Sequence, residues 1–190
     1  MVCAVDTLDA ETWSNKSGSP YWRIRRHEDW MRYLTREVVP FMQDRARQRN
    51  GWDGEPGLLA FGCSLGATHA ANLYFRYPYQ FDRLLALSGV YTADYGFDGY
   101  MDELVYLNSP EHYLPNMPQD HPFIEQYNRN KGVICVGLGN WEIPDSTRNI
   151  DNTLRGKGVN LWVDYWGHDC THDWPWWYKQ CVYFLPWLLG

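Results

Sequence analysis

The part of the chain best suited to chemistry is a G-x-S-x-G pentapeptide, Gly-Cys-Ser-Leu-Gly, at residues 62–66. It lies between an apolar run of strand length, 58–61, and a segment of helical composition, 67–77. On such a sharp turn we expect a side chain at either glycine to collide with the strained backbone. The pattern predicts that Ser64 is a nucleophile and that the Leu65 amide, at the helix N-terminus, faces a developing oxyanion.

A serine hydroxyl is a weak nucleophile, so the motif needs a base that is oriented by a third group. Where such a turn carries the nucleophile, an acid and then a histidine follow it along the chain. His168 and His172 both lie in the loop 166–175, after the last predicted strand. We favour His172 because it comes directly before the closing helix and has more loop with which to reach back. His168, at the strand end, is the alternative.

The acid is expected in the loop 140–145, after the preceding strand, where the sequence offers Glu142 and Asp145. Asp145 directly precedes Ser146-Thr147-Arg148, so it has a second explanation as the N-cap of a helix. Glu142 has no such alternative role in the local pattern. We therefore favour Glu142, with Asp145 as the alternative acid.

These residues need a scaffold, and the chain alternates short apolar runs with helical segments. Strands are predicted at 2–5, 58–61, 84–87, 133–136 and 161–165, and helices at 21–49, 67–77, 146–155 and 176–189. This alternation predicts an α/β fold, a three-layer sandwich whose mainly parallel sheet has helices on both faces. We interpret residues 1–190 as a single domain and the proline-containing stretch 91–130 as an insertion or lid.

Composition excludes several other classes of protein. With 190 residues and a net charge of -6, the chain is ordinary in size and lacks the basic stripe of a nucleic-acid binder. Five cysteines without a C-x-x-C pair argue against a disulfide framework or a zinc site, and Cys3 and Cys135 lie in apolar runs and are predicted to be buried. No signal peptide or membrane span is recognisable, which predicts a cytoplasmic protein with no membrane partner.

Aromatic residues are unusually frequent, at 17% with 11 Trp. Four of these tryptophans bracket the favoured histidine: Trp166, Trp174, Trp176 and Trp177. We predict substrate contacts at Cys63, beside the nucleophile, and at Tyr91 and Trp141, which follow predicted strands. Aromatic side chains there would suit an aryl or hydrophobic acyl group.

The chain resembles the esterase family of the α/β-hydrolase superfamily that includes esterase D, an S-formylglutathione hydrolase, and the mycolyl transferases. The resemblance covers nearly all of the chain and rests on Val5–Trp13, Gly62–Ala67, Leu87–Tyr91, Asn108-Ser109-Pro110 and His172–Trp177. It implies Ser64 as nucleophile, His172 as base and an acid in the loop 142–145, without deciding which acid.

One departure from the family pattern concerns the start of the chain. Family members begin with further strands and a glycine-containing loop that supplies the second oxyanion-hole amide. Here the run 2–5 resembles the family's fourth strand, so we expect a truncated α/β-hydrolase fold of about five strands. Loss of one oxyanion donor costs about 100- to 1000-fold in turnover. The missing strands would also leave an open sheet edge, which predicts a homo-oligomer.

Together these patterns predict a serine carboxylesterase that cleaves small-molecule esters through an acyl-enzyme, without a metal or organic cofactor. Two alternatives stay open. An acyltransferase would use the same triad and pass the acyl group to an alcohol or sugar. A catalytically weak or inactive scaffold would keep the fold without turnover.

Overall fold

The computed structural model describes residues 1–51 and 57–190. Most predicted strands and helices are present in the predicted order, but the strand 2–5 is absent and four short helices lie in the predicted insertion 91–130. In chain order the elements are α1 (Pro20–Tyr33), a π-helical turn (Leu34–Val38), α2 (Val39–Asn50), β1 (Leu59–Cys63), α3 (Leu65–Arg76), β2 (Arg83–Leu87), α4 (Asp94–Phe97), α5 (Glu103–Leu107), α6 (Pro110–Asn116), α7 (Pro122–Arg129), β3 (Lys131–Gly137), α8 (Pro144–Gly156), β4 (Trp162–Trp166) and α9 (Trp174–Leu189). Within the described residues, no helix is both long enough and apolar enough to cross a membrane.

The chain forms two compact units. The helical unit comprises Met1–Gly57 and Asp94–Val105, and the sheet unit comprises Leu58–Ala93 and Tyr106–Gly190. The predicted insertion 91–130 is thus divided, since its residues 94–105 belong to the helical unit and the remainder, 91–93 and 106–130, to the sheet unit. The interpretation of 1–190 as one domain with a lid stays a prediction.

The helical unit contains the long predicted helix, which is widened by one π-helical turn. The amide of Val39 donates to the carbonyl of Leu34, five residues earlier. Pro40 follows at once and has no N–H to donate, so the wider turn lies where the regular series of helical hydrogen bonds is interrupted.

Within the same unit, the buried Arg23 guanidinium donates to the carbonyls of Trp13 and Gly96.

The sheet unit is built on four parallel strands in the order β1-β2-β3-β4. The predicted α/β class is therefore confirmed, with one strand fewer than expected. The predicted strand 2–5 is wrong: these residues form no strand, and Val2 is 93% exposed. Cys3 is exposed too, against expectation. An apolar run becomes a strand only where a neighbouring backbone can pair with it, and this run has no such neighbour in the described residues.

Both faces of the sheet are covered by helices. Every second residue of β2 and β3 packs against the inner face of α9, in a cluster of Leu85, Leu87, Val133, Cys135, Trp177, Phe184 and Leu188. The alternate residues, also fully buried, point to the other face, where α3 packs on β1 and β2 and α8 on β3 and β4. Burial on both faces explains why the strands read as continuous apolar runs, and it confirms the buried position predicted for Cys135.

Because all four strands are parallel, their carboxyl ends lie along one edge of the sheet. Ser64 follows β1 and Ser88 follows β2. The loop 138–143 follows β3, and the loop 167–173 follows β4. In open α/β sheets ligands bind outside the carboxyl ends of the strands, so this edge is where a site is expected.

Candidate active site

Ser64 occupies a strained turn between β1 and α3. Its φ is 55°, a left-handed value that serine rarely adopts, and its amide donates to the carbonyl of Leu87 at 2.8 Å. A Cβ at residue 62 would overlap the backbone carbonyl of residue 66, so Gly62 is required. A Cβ at Gly66 meets nothing within 4 Å, so the expected collision at this second glycine is wrong. The turn is tight on the strand side and open on the helix side.

The Ser64 hydroxyl lies against the favoured histidine. Ser64 Oγ is 2.8 Å from His172 Nε2, and His172 Nδ1 is 3.2 Å from Glu142 Oε2. The His172 side chain is 24% exposed and that of Glu142 only 1%. A hydroxyl bonded to an imidazole, which is bonded in turn to a carboxylate, can transfer the hydroxyl proton to the imidazole and stabilise the imidazolium.

The other histidine of the loop lies elsewhere. His168 is exposed, and its Nδ1 is 3.2 Å from the carbonyl of Leu138. His172 reaches Ser64 because two backbone hydrogen bonds join its loop to the loop after β3. The His172 amide donates to the Asn140 carbonyl at 3.1 Å, and the Gly139 amide donates to the Cys170 carbonyl at 2.9 Å. A Cβ at Gly139 would strike the Cys170 carbonyl, so the glycine lets the two loops approach.

The two candidate acids have different surroundings. Asp145 is 86% exposed and forms an ion pair with Arg148 at 2.6 Å. The N-cap expectation for Asp145 is wrong, because Ile143 occupies that position and Asp145 lies within the first turn of α8. In that first turn, the negative charge of Asp145 still interacts favourably with the positive end of the helix dipole. Of the two acids, Glu142 is the one that the structure brings to the imidazole.

The second oxygen of Glu142 has partners of its own. Oε1 accepts from the Ser88 hydroxyl at 2.8 Å and from the Gly137 amide at 3.3 Å. The Ser88 hydroxyl in turn accepts from the Trp177 indole Nε1 at 3.0 Å. The Trp177 ring also meets His172 edge-on, with centroids 5.0 Å apart.

Sequence reasoning assigned no contact to Ser88 and only grouped Trp177 with the tryptophans near His172. A usable signal was present for Ser88. It follows the apolar run 84–87 as Ser64 follows 58–61, so both serines belong at the same sheet edge.

The three predicted substrate-contact residues differ in how far they are buried. Cys63 packs at the edge of the cluster under α9, and burial raises the pKa of its thiol to about 12. Tyr91 has no exposed area, and its amide donates to Ser146 Oγ at 2.7 Å. Trp141 is 88% exposed, with a left-handed φ of 69°. Only Trp141 of the three presents a large open surface.

Leu65 is the first residue of α3, so its N–H has no acceptor within the helix and lies at the positive end of the helix dipole. This amide is adjacent to the Ser64 hydroxyl along the chain, which is the position required of an oxyanion donor. In the described part of the chain, no cluster of three or more His, Cys, Asp or Glu residues is arranged to hold a metal ion.

Solved structures of similar fold include a ferulic acid esterase and two S-formylglutathione hydrolases. A ferulic acid esterase superposes with a TM-score of 0.63 at 16% identity, over 85% of this chain and 60% of that one. An S-formylglutathione hydrolase from Agrobacterium tumefaciens gives 0.59 at 13% identity, over 83% and 55%, and one from Staphylococcus aureus gives 0.51 at 20%, over 70% and 51%. The chain thus spans between 51% and 60% of their lengths.

Curated protein sequences contain no significant match to the chain. A family model does match it, under the description "Putative esterase", over residues 18–188. That interval includes the turn at Ser64 and both loops that carry Glu142 and His172. The chain has the α/β-hydrolase fold and belongs to this esterase family.

Proposed function

We propose that the protein is a serine carboxylesterase that hydrolyses small-molecule carboxylic esters through an acyl-enzyme. The observation that carries the proposal is the hydrogen-bonded series from Ser64 Oγ through His172 to Glu142, at 2.8 and 3.2 Å. Membership of an esterase family supports the reaction class. Ester hydrolysis by a serine nucleophile needs no cofactor, because all proton transfers are carried out by side chains.

In the first half of the reaction, Ser64 Oγ attacks the ester carbonyl while His172 Nε2 takes the hydroxyl proton. The carbonyl oxygen becomes an oxyanion next to the Leu65 amide. His172 then gives its proton to the leaving alcohol, and the acyl group stays on Ser64. Glu142 holds the imidazole with Nδ1 protonated, so that Nε2 is free to accept.

In the second half, water replaces the alcohol. His172 Nε2 takes a proton from the water as its oxygen attacks the acyl carbonyl, and then returns the proton to Ser64 Oγ as the acid is released. The two halves use the same groups in reverse order, so a single imidazole acts as base and acid in each.

The most direct test is active-site labelling with a fluorophosphonate probe, together with hydrolysis of short aryl esters, for the native chain and Ser64→Ala. We expect the native chain to be labelled and to release acid, and Ser64→Ala to do neither. Ser109→Ala is a matched control, because Ser109 is a fully buried serine whose hydroxyl accepts from the Ala93 amide.

The outcomes separate the three candidate functions. Labelling with release of acid into water supports the esterase. Labelling in which the acyl group passes to an added alcohol in preference to water identifies an acyltransferase. A native chain that the probe does not label is a scaffold, and the proposal is then wrong.

We also propose that the chain forms a homo-oligomer. In the described residues β1 pairs only with β2, and an edge strand left unpaired is a template for association. Light scattering coupled to gel filtration tests this proposal, and a monodisperse monomer contradicts it.

A further inference from the structure

We infer that Ser88 and Trp177 are positioning residues of the candidate triad, which fix the Glu142 carboxylate and, through it, the tautomer and orientation of His172. The inference rests on the proposed function. The groups concerned are the Ser88 hydroxyl, which donates to Glu142 Oε1, and the Trp177 indole, which donates to Ser88 Oγ. The basis of the inference is the direction of each hydrogen bond in the series Trp177–Ser88–Glu142–His172.

The directions follow from the chemistry of the groups. An indole N–H can only donate, so the Ser88 oxygen must accept from Trp177 Nε1. The Ser88 hydroxyl has one hydrogen. Because the indole N–H binds to a lone pair of the hydroxyl oxygen, that hydrogen can be donated to Glu142 Oε1, at 2.8 Å. A carboxylate can only accept, so the rotation of the Ser88 hydroxyl is fixed from both sides.

The carboxylate is thereby committed to one arrangement. Oε1 accepts hydrogen bonds from the Ser88 hydroxyl and, at a longer distance, from the Gly137 amide. Oε2 is therefore left to accept from His172 Nδ1. With its side chain only 1% exposed, Glu142 has almost no access to water that could replace a lost donor. Without the Ser88 hydroxyl, Oε1 keeps only an amide at 3.3 Å, and the carboxylate gains freedom to rotate away from the imidazole.

Trp177 contacts both neighbours of the Glu142 carboxylate, the Ser88 hydroxyl and the His172 ring. Its N–H fixes Ser88, and its ring lies edge-on to the His172 ring at an interplanar angle of 84°. Trp177 is 7% exposed and packs in the cluster between α9 and the sheet, so packing holds its indole against β2 and β3. Trp177, on α9, thus orients two groups: the Ser88 hydroxyl, which follows β2, and the His172 ring, in the loop after β4.

The backbone of Ser88 is equally well fixed. Its amide donates to the carbonyl of Cys135 at 2.7 Å, which extends the β2–β3 ladder by one residue. Its φ of 57° is a strained value for serine. Strain of this kind persists only where the surroundings determine the conformation, and here it directs the hydroxyl to Glu142.

The test compares Ser88→Ala with Ser146→Ala. Ser146 is a close match: it is 4% exposed, as is Ser88, and its hydroxyl accepts one N–H, from Tyr91, and donates to one carboxylate, that of Glu111. We expect Ser88→Ala to lower kcat for an aryl ester by about 10- to 100-fold with KM little changed, because a hydrogen bond to a charged group is lost. Ser146→Ala should lose comparable stability and keep its kcat.

A second readout does not depend on turnover. The proton shared by His172 Nδ1 and Glu142 should give a far-downfield proton NMR resonance in the native chain. We expect that resonance to broaden or vanish in Ser88→Ala, to weaken in Trp177→Phe, which keeps a ring but loses the N–H, and to persist in Ser146→Ala. If Ser88→Ala folds poorly, Ser88→Gly removes the hydroxyl without strain, because glycine tolerates the φ of 57°.

The inference is overturned if Ser88→Ala or Ser88→Gly keeps both the native kcat and the native resonance, or if Ser146→Ala loses as much of both. Failure of the proposed function gives a different result: the native chain is inactive, and the resonance is still present and still sensitive to Ser88. An active native chain whose resonance ignores Ser88 contradicts the positioning role alone.

Discussion

Two serines end neighbouring strands of the sheet with nearly the same backbone, but they have different surroundings. Ser64 and Ser88 have φ values of 55° and 57°, and each donates its amide to the next strand, to Leu87 and Cys135. Ser64 is followed at once by a helix and is half-buried, with its hydroxyl on His172. Ser88 is followed by an irregular segment and is 4% exposed, with its hydroxyl on Glu142.

Under the proposed function, the difference means that the turn alone does not make a nucleophile. In both places the strained turn directs a hydroxyl over the edge of the sheet. At Ser64 the following helix adds the Leu65 amide, which has no acceptor within the helix, and the positive end of the helix dipole. At Ser88 an indole and a carboxylate occupy both sides of the hydroxyl, which leaves it no room to react.

The largest effect that separates the two turns is expected on turnover. Ser64→Ala should lower kcat by about a millionfold, as removal of the nucleophile does in a well-studied hydrolase, while Ser88→Ala should lose only about 10- to 100-fold. Steady-state hydrolysis of an aryl ester measures both. Equal losses at the two positions would contradict the distinction drawn between them.

Next in size is the effect of the carboxylate that connects the turns. Glu142→Gln should lower kcat by about ten-thousandfold, because an amide nitrogen at Nδ1 favours the wrong imidazole tautomer. Asp145→Asn should change kcat less than about twofold and cost under about 1 kcal/mol of stability, since its ion pair with Arg148 is exposed. A larger loss of kcat in Asp145→Asn would reassign the acid.

The glycines around Ser64 allow a sharper test of the turn itself. Gly62→Ala should lower the free energy of unfolding by about 3 kcal/mol, because its Cβ would overlap the carbonyl of Gly66. Gly66→Ala should be neutral or stabilise by up to about 1 kcal/mol, because its Cβ enters open space at a helical position. Urea unfolding of the two variants measures this, and similar free energies for both would disprove the asymmetry.

The smallest effect concerns strain, which the two turns should share. At residue 64 and at residue 88, the glycine variant should be more stable than the alanine variant by about 1 kcal/mol, because only glycine adopts a positive φ freely. Thermal unfolding of the four variants provides the comparison. A difference at one position only would mean that just one of the turns is strained.

Much of the fold was accessible from the sequence because its strands are short, apolar and buried on both faces. The four strands of the sheet and the helices α3, α8 and α9 were predicted within a few residues. The helices α4 to α7 were not, because they lie in the stretch 91–130, which has few periodic positions and was interpreted as an insertion or lid. The run 2–5 shows the limit, since it has the same apolar character as the run 84–87 but no backbone with which to pair in the described residues. Periodicity reports the character of a segment, and pairing depends on its neighbours.

The candidate site divides in the same way. Gly62 and Ser64 were recognisable because a serine between a strand and a helix constrains its immediate neighbours. For Tyr91, a position after a strand does not tell whether the ring faces a pocket or the interior, and the structure buries the residue completely. The contact between Ser88 and Glu142 joins residues 54 positions apart and leaves no local pattern.

The sequence by itself determined the α/β alternation, the turn at Ser64 and a short list of acids and histidines, because each depends on residues close together in the chain. Only the tertiary structure placed His172 rather than His168 beside Ser64 and Glu142 rather than Asp145 beside that imidazole. Only it brought Ser88 and Trp177 together at the carboxylate. Those choices depend on four parallel strands ending at one edge and on two loops joined through Gly139. Distances across a sheet are set by strand order and register, which no local pattern encodes.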